Sequence, residues 1–221
     1  MIWQIFKNLI TKAVAAPGKL LAKKSGVDEK YLEGFDWKSL QTELDEEQKK
    51  ALDAAAATLA LAPEMNLEFI KAYNVPKELD QLALQESKKR FLFMNRKISS
   101  DEEVTEEEEK LVESMQARDS VFNAYIDREL QMQNSLLSIF DRSKRLVGTE
   151  KLQNKLFRIY EKRTEAIQKY LTETKGVAAD RLRIVNPHEA EELLYESVSK
   201  MIMNFYLPDE DEISSVKTTS N

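Results

Sequence analysis

The stretch 161–184, EKRTEAIQKYLTETKGVAADRLRI, decides how this chain is read, because Arg163 stands where an apolar residue is expected. If Thr149 caps a helix that runs to about Thr174, steps of about 100° per residue bring Leu152, Leu156, Tyr160, Ile167 and Leu171 onto one face, with Arg163 in the middle of it. An arginine keeps its charge. On such a stripe it must therefore snorkel outward or find carbonyl or anionic partners. Gly176 then ends the helix, and RLRIV, 181–185, reads as a strand.

Upstream of this α-β step, Phe35, Trp37 and Leu40 suit a short strand. Asp45 and Gln48 have the spacing of a capping pair, and Leu52, Ala55, Leu59 and Ala62 form a helix stripe that Pro63 closes. MNLEFIKAYNV, 65–75, is strand-like, and Pro76 sits where a first helical turn tolerates it. Helix continues through residues 76–93. Downstream, KMIMNFYL, 200–207, alternates as a strand does, whereas HEAEELLYESV, 188–198, is ambiguous. The order is β-α-β-α, further helices, α-β, β, which predicts an α+β two-layer sandwich.

From Asn95 the pattern changes. Thr105 and Glu108 form a capping box, and the acids of DEEVTEEEE, 101–109, suit the positive end of the helix that follows. Leu111, Met115, Phe122, Tyr125 and Leu130 continue an apolar stripe that SLLSIFDRSKRLVG, 135–148, completes. The stretch from about 95 to 148 therefore reads as an inserted helical hairpin. Consecutive carboxylates spread around a helix instead of converging, and no EF-hand glycine is present, so the acidic run reads as a solvated helix start and not as a cation site.

Ile2, Ile5, Phe6, Leu9, Ile10 and Ala13 recur at helical spacing, with Lys7 and Lys12 on the other face, until Pro17-Gly18. Two readings of this basic amphipathic helix stand: it packs on the domain, or it meets a membrane surface or a partner helix. It is too interrupted to span a bilayer or to serve as a signal peptide, so any export signal would lie outside this chain. The expected organisation is an N-terminal helix and linker, 1–26, one domain, 27–207, and a polar, disordered tail, 208–221.

Composition narrows the function classes. Of 221 residues, 42% are hydrophobic and 33% charged, and only five glycines and five prolines occur, which favours a helix-rich globular chain over a many-stranded barrel. The net charge of −6 argues against a nucleic-acid partner, although the first 24 residues hold five lysines and no acid. There is no cysteine, hence no disulfide framework, thiolate nucleophile or thiolate metal site. The lone histidine, His188, has no evident nucleophile motif, and HEAEE carries glutamate where the zinc helix motif needs its second histidine. No Walker or dinucleotide glycine loop occurs. No cofactor or metal is expected, and an enzyme is the weaker class.

The segment IYEKRTEAIQKYLTETKGVAADRLRI, 159–184, resembles the signature helix and strand of OmpA-like C-terminal domains, in which Leu-Ser-x-x-Arg-Ala-x-x-Val precedes a Tyr-Leu pair, a glycine and Asp-Arg-Leu. On that alignment Ile159, Arg163, Thr164 and Ile167 take the leucine, arginine, alanine and valine places. Three further stretches are similar to the OmpA-like tail of the large AsmA-like envelope proteins, a domain of unknown function. These are FDWKSLQTELDEEQKKALDAAAATLA (35–60), YNVPKELDQLALQESKKRFL (73–92) and LITKAVAAPGKLLAKKSG (9–26). The resemblance implies an OmpA-like β-α-β-α-β core carrying the inserted hairpin. It also implies a C-terminal fragment, or a stand-alone version, of an AsmA-like protein in the periplasm of a Gram-negative envelope. Such proteins act in outer-membrane assembly or lipid transport. The partners expected from it are envelope proteins or lipid-handling partners.

In peptidoglycan-binding members the matching arginine and an aspartate at the end of the second strand hold the diaminopimelate of the stem peptide. The arginine fork grips a carboxylate and the aspartate an ammonium. The resemblance places Arg163 at the first position and Asn74 at the second, with Lys162 as a basic neighbour. Asparagine brings no negative charge, so the ammonium half of the clamp is weakened. Peptidoglycan binding is therefore the alternative to a structural or partner-binding module. In the structural reading, Arg163 crosses to carbonyls at a strand end or to an acid such as Asp80, Lys162 is solvated, and Tyr160 and Tyr170 belong to core or rim.

Overall fold

In a computed structural model, which describes residues 22–23, 26–98, 104–132, 136–186 and 198–208, the described residues form four strands and seven α-helices in a mixed α+β fold. In chain order the elements are α1 Lys30–Glu33, β1 Gly34–Trp37, α2 Glu46–Leu61, β2 Asn66–Ala72, α3 Val75–Met94, α4 Glu106–Ser114, α5 Ser120–Glu129, α6 Ile139–Val147, α7 Thr149–Lys169, β3 Leu182–Val185 and β4 Ser199–Tyr206. The N-terminal helix expected before residue 17, the stretch holding His188 and the tail after residue 208 lie outside the described residues.

The chain divides into two compact units. Among the described residues, the first holds those up to 38, those in 42–73 and those from 162 on; the second holds 39–41 and those in 74–161.

The first unit is built on a sheet of order β1-β4-β2-β3, in which β4 runs antiparallel to β1 and β2 while β2 and β3 are parallel. Alternation sends Leu67 and Phe69 of β2 and Met201, Met203 and Phe205 of β4 into one core with Trp37. Leu52, Ala55 and Leu59 of α2 and Ile167 and Leu171, in and just after α7, complete it. Each large apolar side chain shut in this way contributes about 1.5–3 kcal/mol. Helix α2 starts at a full capping box: the Asp45 carboxylate accepts from Gln48 N–H and the Gln48 side chain accepts from Asp45 N–H.

Gly34 is required where α1 passes into β1. Its φ is +131°, and a Cβ there would lie 2.1 Å from the Met201 carbonyl oxygen. The glycine lets β1 approach β4 closely.

The second unit is helical. Leu82 and Ala83 of α3 pack with Leu152 and Leu156 of α7, and Leu84 with Phe122, Tyr125 and Ile126 of α5. Leu92, Ile98 and Val112 form a third cluster. Arg142 of α6 donates to Asp127 at 2.6 Å and to Asn123 at 2.7 Å, tying α6 to α5, while Lys155 of α7 pairs with Glu86 of α3.

Two expectations change. The first strand stops at Trp37 and does not reach Leu40, whose φ of 60° leaves the extended region and whose side chain packs with the Leu82 cluster. The stretch 95–148 is not a two-helix hairpin. Its described residues hold three short helices, α4 to α6, because the chain turns at 115–119 and again around Gln131, where φ is 54°.

Candidate functional site

Arg163 is 0% exposed and the largest fully buried side chain after Trp37. Helix α7 puts it there through the stripe on which the sequence placed it: Leu152, Leu156, Ile167 and Leu171 are all buried. Its guanidinium carbon lies 5.0 Å from the Trp37 ring centroid and 5.1 Å from that of Tyr73, over both rings. One terminal nitrogen donates to the Lys38 carbonyl, 3.2 Å away and one residue beyond the end of β1. Withdrawing such a cation from water costs several kcal/mol, which aromatic faces and carbonyl dipoles partly offset. A guanidinium suits this role better than an ammonium, since it is planar and more weakly hydrated.

The other candidate residues are used locally. Asn74 follows β2 and belongs to the second unit, where it caps α3 by accepting from Lys77 N–H at 3.0 Å, with Pro76 in the first turn. Lys162 is exposed. Asp80, the acid expected as a partner for Arg163, pairs with Lys144 at 2.9 Å within the second unit. The Tyr170 hydroxyl donates to Asp53 at 2.8 Å, and Lys175 pairs with the same carboxylate. Burial, then that carboxylate, pushes the Tyr170 hydroxyl above its ordinary range, and hydrogen bonding to Asp53 raises the Lys175 ammonium.

Trp37 also faces an open groove of about 560 Å³ along β1, lined among others by Tyr31, Phe35, Lys38, Gln48 and Val198. Several of its polar groups are already engaged: Lys38 lies 3.1 Å from Asp45, and Tyr31 donates to Glu47 at 3.3 Å. The Gln48 N–H, then Lys38, holds the Asp45 carboxyl below the usual carboxylate range. Gln48 itself is buried and donates to the Asp36 carbonyl at 2.7 Å, so a side chain already occupies that outward carbonyl of the edge strand. Among the described residues no group of three His, Cys, Asp or Glu side chains is placed to hold a metal, and no helix is long and apolar enough to cross a membrane.

Arg181 is the residue whose role the sequence reading missed. It donates to the carbonyls of Leu59, at 3.1 Å, Ala62, at 2.9 Å, and Met65, at 2.7 and 3.0 Å. Helix α2 ends at Leu61 with no glycine behind it to fold back over its last carbonyls, and the arginine supplies the missing donors. The signal was there in Ala62-Pro63, a helix stop without its usual cap.

Comparison of the chain with protein-family models, curated proteins and solved structures finds no match.

Proposed function

We propose that this chain is a non-catalytic cell-envelope module of OmpA-like build, the C-terminal part of an AsmA-like protein acting in outer-membrane assembly or lipid transport. In this reading it works as a scaffold that holds partners. The observation that carries the reading is the commitment of Arg163. The residue that the resemblance assigns to a ligand carboxylate is shut in the core against Trp37, Tyr73 and the Lys38 carbonyl. Asn74, at the place of the ammonium-binding aspartate, has its side-chain oxygen engaged as a helix cap. The element order β-α-β-α, helices, α-β, β supports the OmpA-like build. In the second unit Phe157, Val121 and Met94 are 61%, 65% and 60% exposed, which makes them positions from which a bound partner can be detected.

The proposal is tested by placing a photo-crosslinking residue at Phe157, Val121 or Met94 in a Gram-negative host that makes the whole protein. A discrete adduct with an envelope protein is expected from at least one position. The absence of any adduct at all three, or adducts only with cytoplasmic proteins, would contradict it.

A further inference from the structure

Lys88 stands on α3 between two apolar clusters of the second unit. One turn before it, Leu84 is buried with Phe122, Tyr125 and Ile126 of α5; one turn after it, Leu92 is buried with Ile98 and with Val112 of α4. Phe91, three positions on, packs against both clusters. Residues three and four apart share a helix face, so the half-buried Lys88 stem lies along an apolar stripe. The charged residues beside it are paired: Glu86 with Lys155 and, at 3.9 Å, with Lys89, and Arg90 with Glu129, also at 3.9 Å. Lys88 has no hydrogen bond or ion pair among the described residues. Burial holds its ammonium below the ordinary lysine range, against a smaller opposite pull from Glu113 of α4. A larger share of this amine is therefore neutral near pH 8 than of a solvated lysine, and the neutral, desolvated amine is the nucleophilic form.

We propose that Lys88 is an acylation site that takes its acyl group from an acyl phosphate. The neutral Nζ attacks the acyl carbonyl carbon, the bond from that carbon to the phosphate oxygen breaks, phosphate leaves with the bonding pair, and the surplus proton of the amine passes to water. The product is an uncharged amide. On this stripe an ammonium must be desolvated or held outward, whereas the amide has no charge to desolvate and lays its acyl group along Leu84 and Leu92. Acylation thus removes the cost that burial puts on the charged form. The site uses side chains of the second unit alone, so it stands or falls separately from the envelope reading.

The test incubates the full chain with acetyl phosphate at about pH 7.5 and follows acetylation of each lysine by peptide mass spectrometry, while circular dichroism confirms that the chain stays folded. The chain has no cysteine, so no thiol competes for the donor. Lys88 is expected to react at least about threefold faster than exposed Lys162, and its rate to level off below about pH 10. Glu113→Gln, which removes the acid that favours the ammonium, is expected to raise the Lys88 rate further and to leave that of Lys162 unchanged. A folded wild-type chain in which Lys88 reacts no faster than Lys162 would overturn the proposal, as would a Lys88 rate in Glu113→Gln no higher than in the wild type.

Discussion

The guanidinium carbon of Arg163 lies 5.0 Å from the ring centroid of Trp37, the last residue of β1, so the charge in the middle of an apolar helix stripe rests on an indole face. Removing it should open a cavity lined by Trp37 and Tyr73 and release the Lys38 carbonyl. Arg163→Ala is expected to lower unfolding free energy by about 3 kcal/mol. Arg163→Met fills most of the volume without a charge to desolvate and should cost about 1 kcal/mol or less. Urea unfolding followed by circular dichroism measures both. Equal losses for the two variants would mean that the charge, not the packing, is what matters.

Arg181 spans three carbonyls at the end of α2 and in the turn after it, of which that of Ala62 also accepts from the Met65 N–H at 3.0 Å. Arg181→Lys keeps the charge but replaces the planar fork with a compact ammonium that cannot reach all three. A loss of about 2 kcal/mol is expected, with faster amide exchange at the C-terminal end of α2. Unchanged exchange there would mean that solvent serves those carbonyls equally well.

What was legible in the sequence was local. Asp45 with Gln48 and Thr105 with Glu108 both form the capping boxes their spacing announces, since a cap depends on four consecutive residues alone. Periodicity placed Arg163 on the apolar face of its helix and left open whether it snorkels outward or stays inside, which the structure decides at 0% exposure. The breaks between α4, α5 and α6 did not follow from periodicity, because Met115, just after α4, Phe122 and Tyr125 on α5, and Leu130, just after it, all pack in the same hydrophobic cluster. Successive short helices that share one core keep the apolar rhythm of a single long one. The Arg181 contacts to residues 59–65 were invisible for a different reason: they join segments more than a hundred positions apart.

Gly34 tests the close approach of β1 to β4. With φ at +131° and a Cβ position 2.1 Å from the Met201 oxygen, Gly34→Ala must move the strand. A loss of about 3 kcal/mol is expected from thermal or urea melts. An alanine variant as stable as the wild type would contradict the register of the edge strand.

Asp45 should leave a mark on the acid limb of stability. Its carboxyl titrates below the ordinary aspartate range because the Gln48 N–H and Lys38 favour the charged form. A depressed folded value contributes stability that is fully present above the unfolded value and is lost as pH falls through the folded one. Asp45→Asn keeps a capping oxygen but does not titrate. Its urea midpoint should therefore fall less than that of the wild type between about pH 5 and pH 2. Parallel curves would mean that the carboxylate contributes nothing beyond the cap, as exposed ion pairs often do.

The most direct measurement is a calorimetric titration of diaminopimelate-containing stem peptide into the wild-type chain and into Arg163→Met, with the fold of each confirmed by circular dichroism. No saturable heat from either is expected, because Arg163 is 0% exposed and turned to the Trp37 and Tyr73 rings. Saturable binding by the wild type that is lost in a folded Arg163→Met would show Arg163 to be a carboxylate clamp and would contradict its assignment to the core.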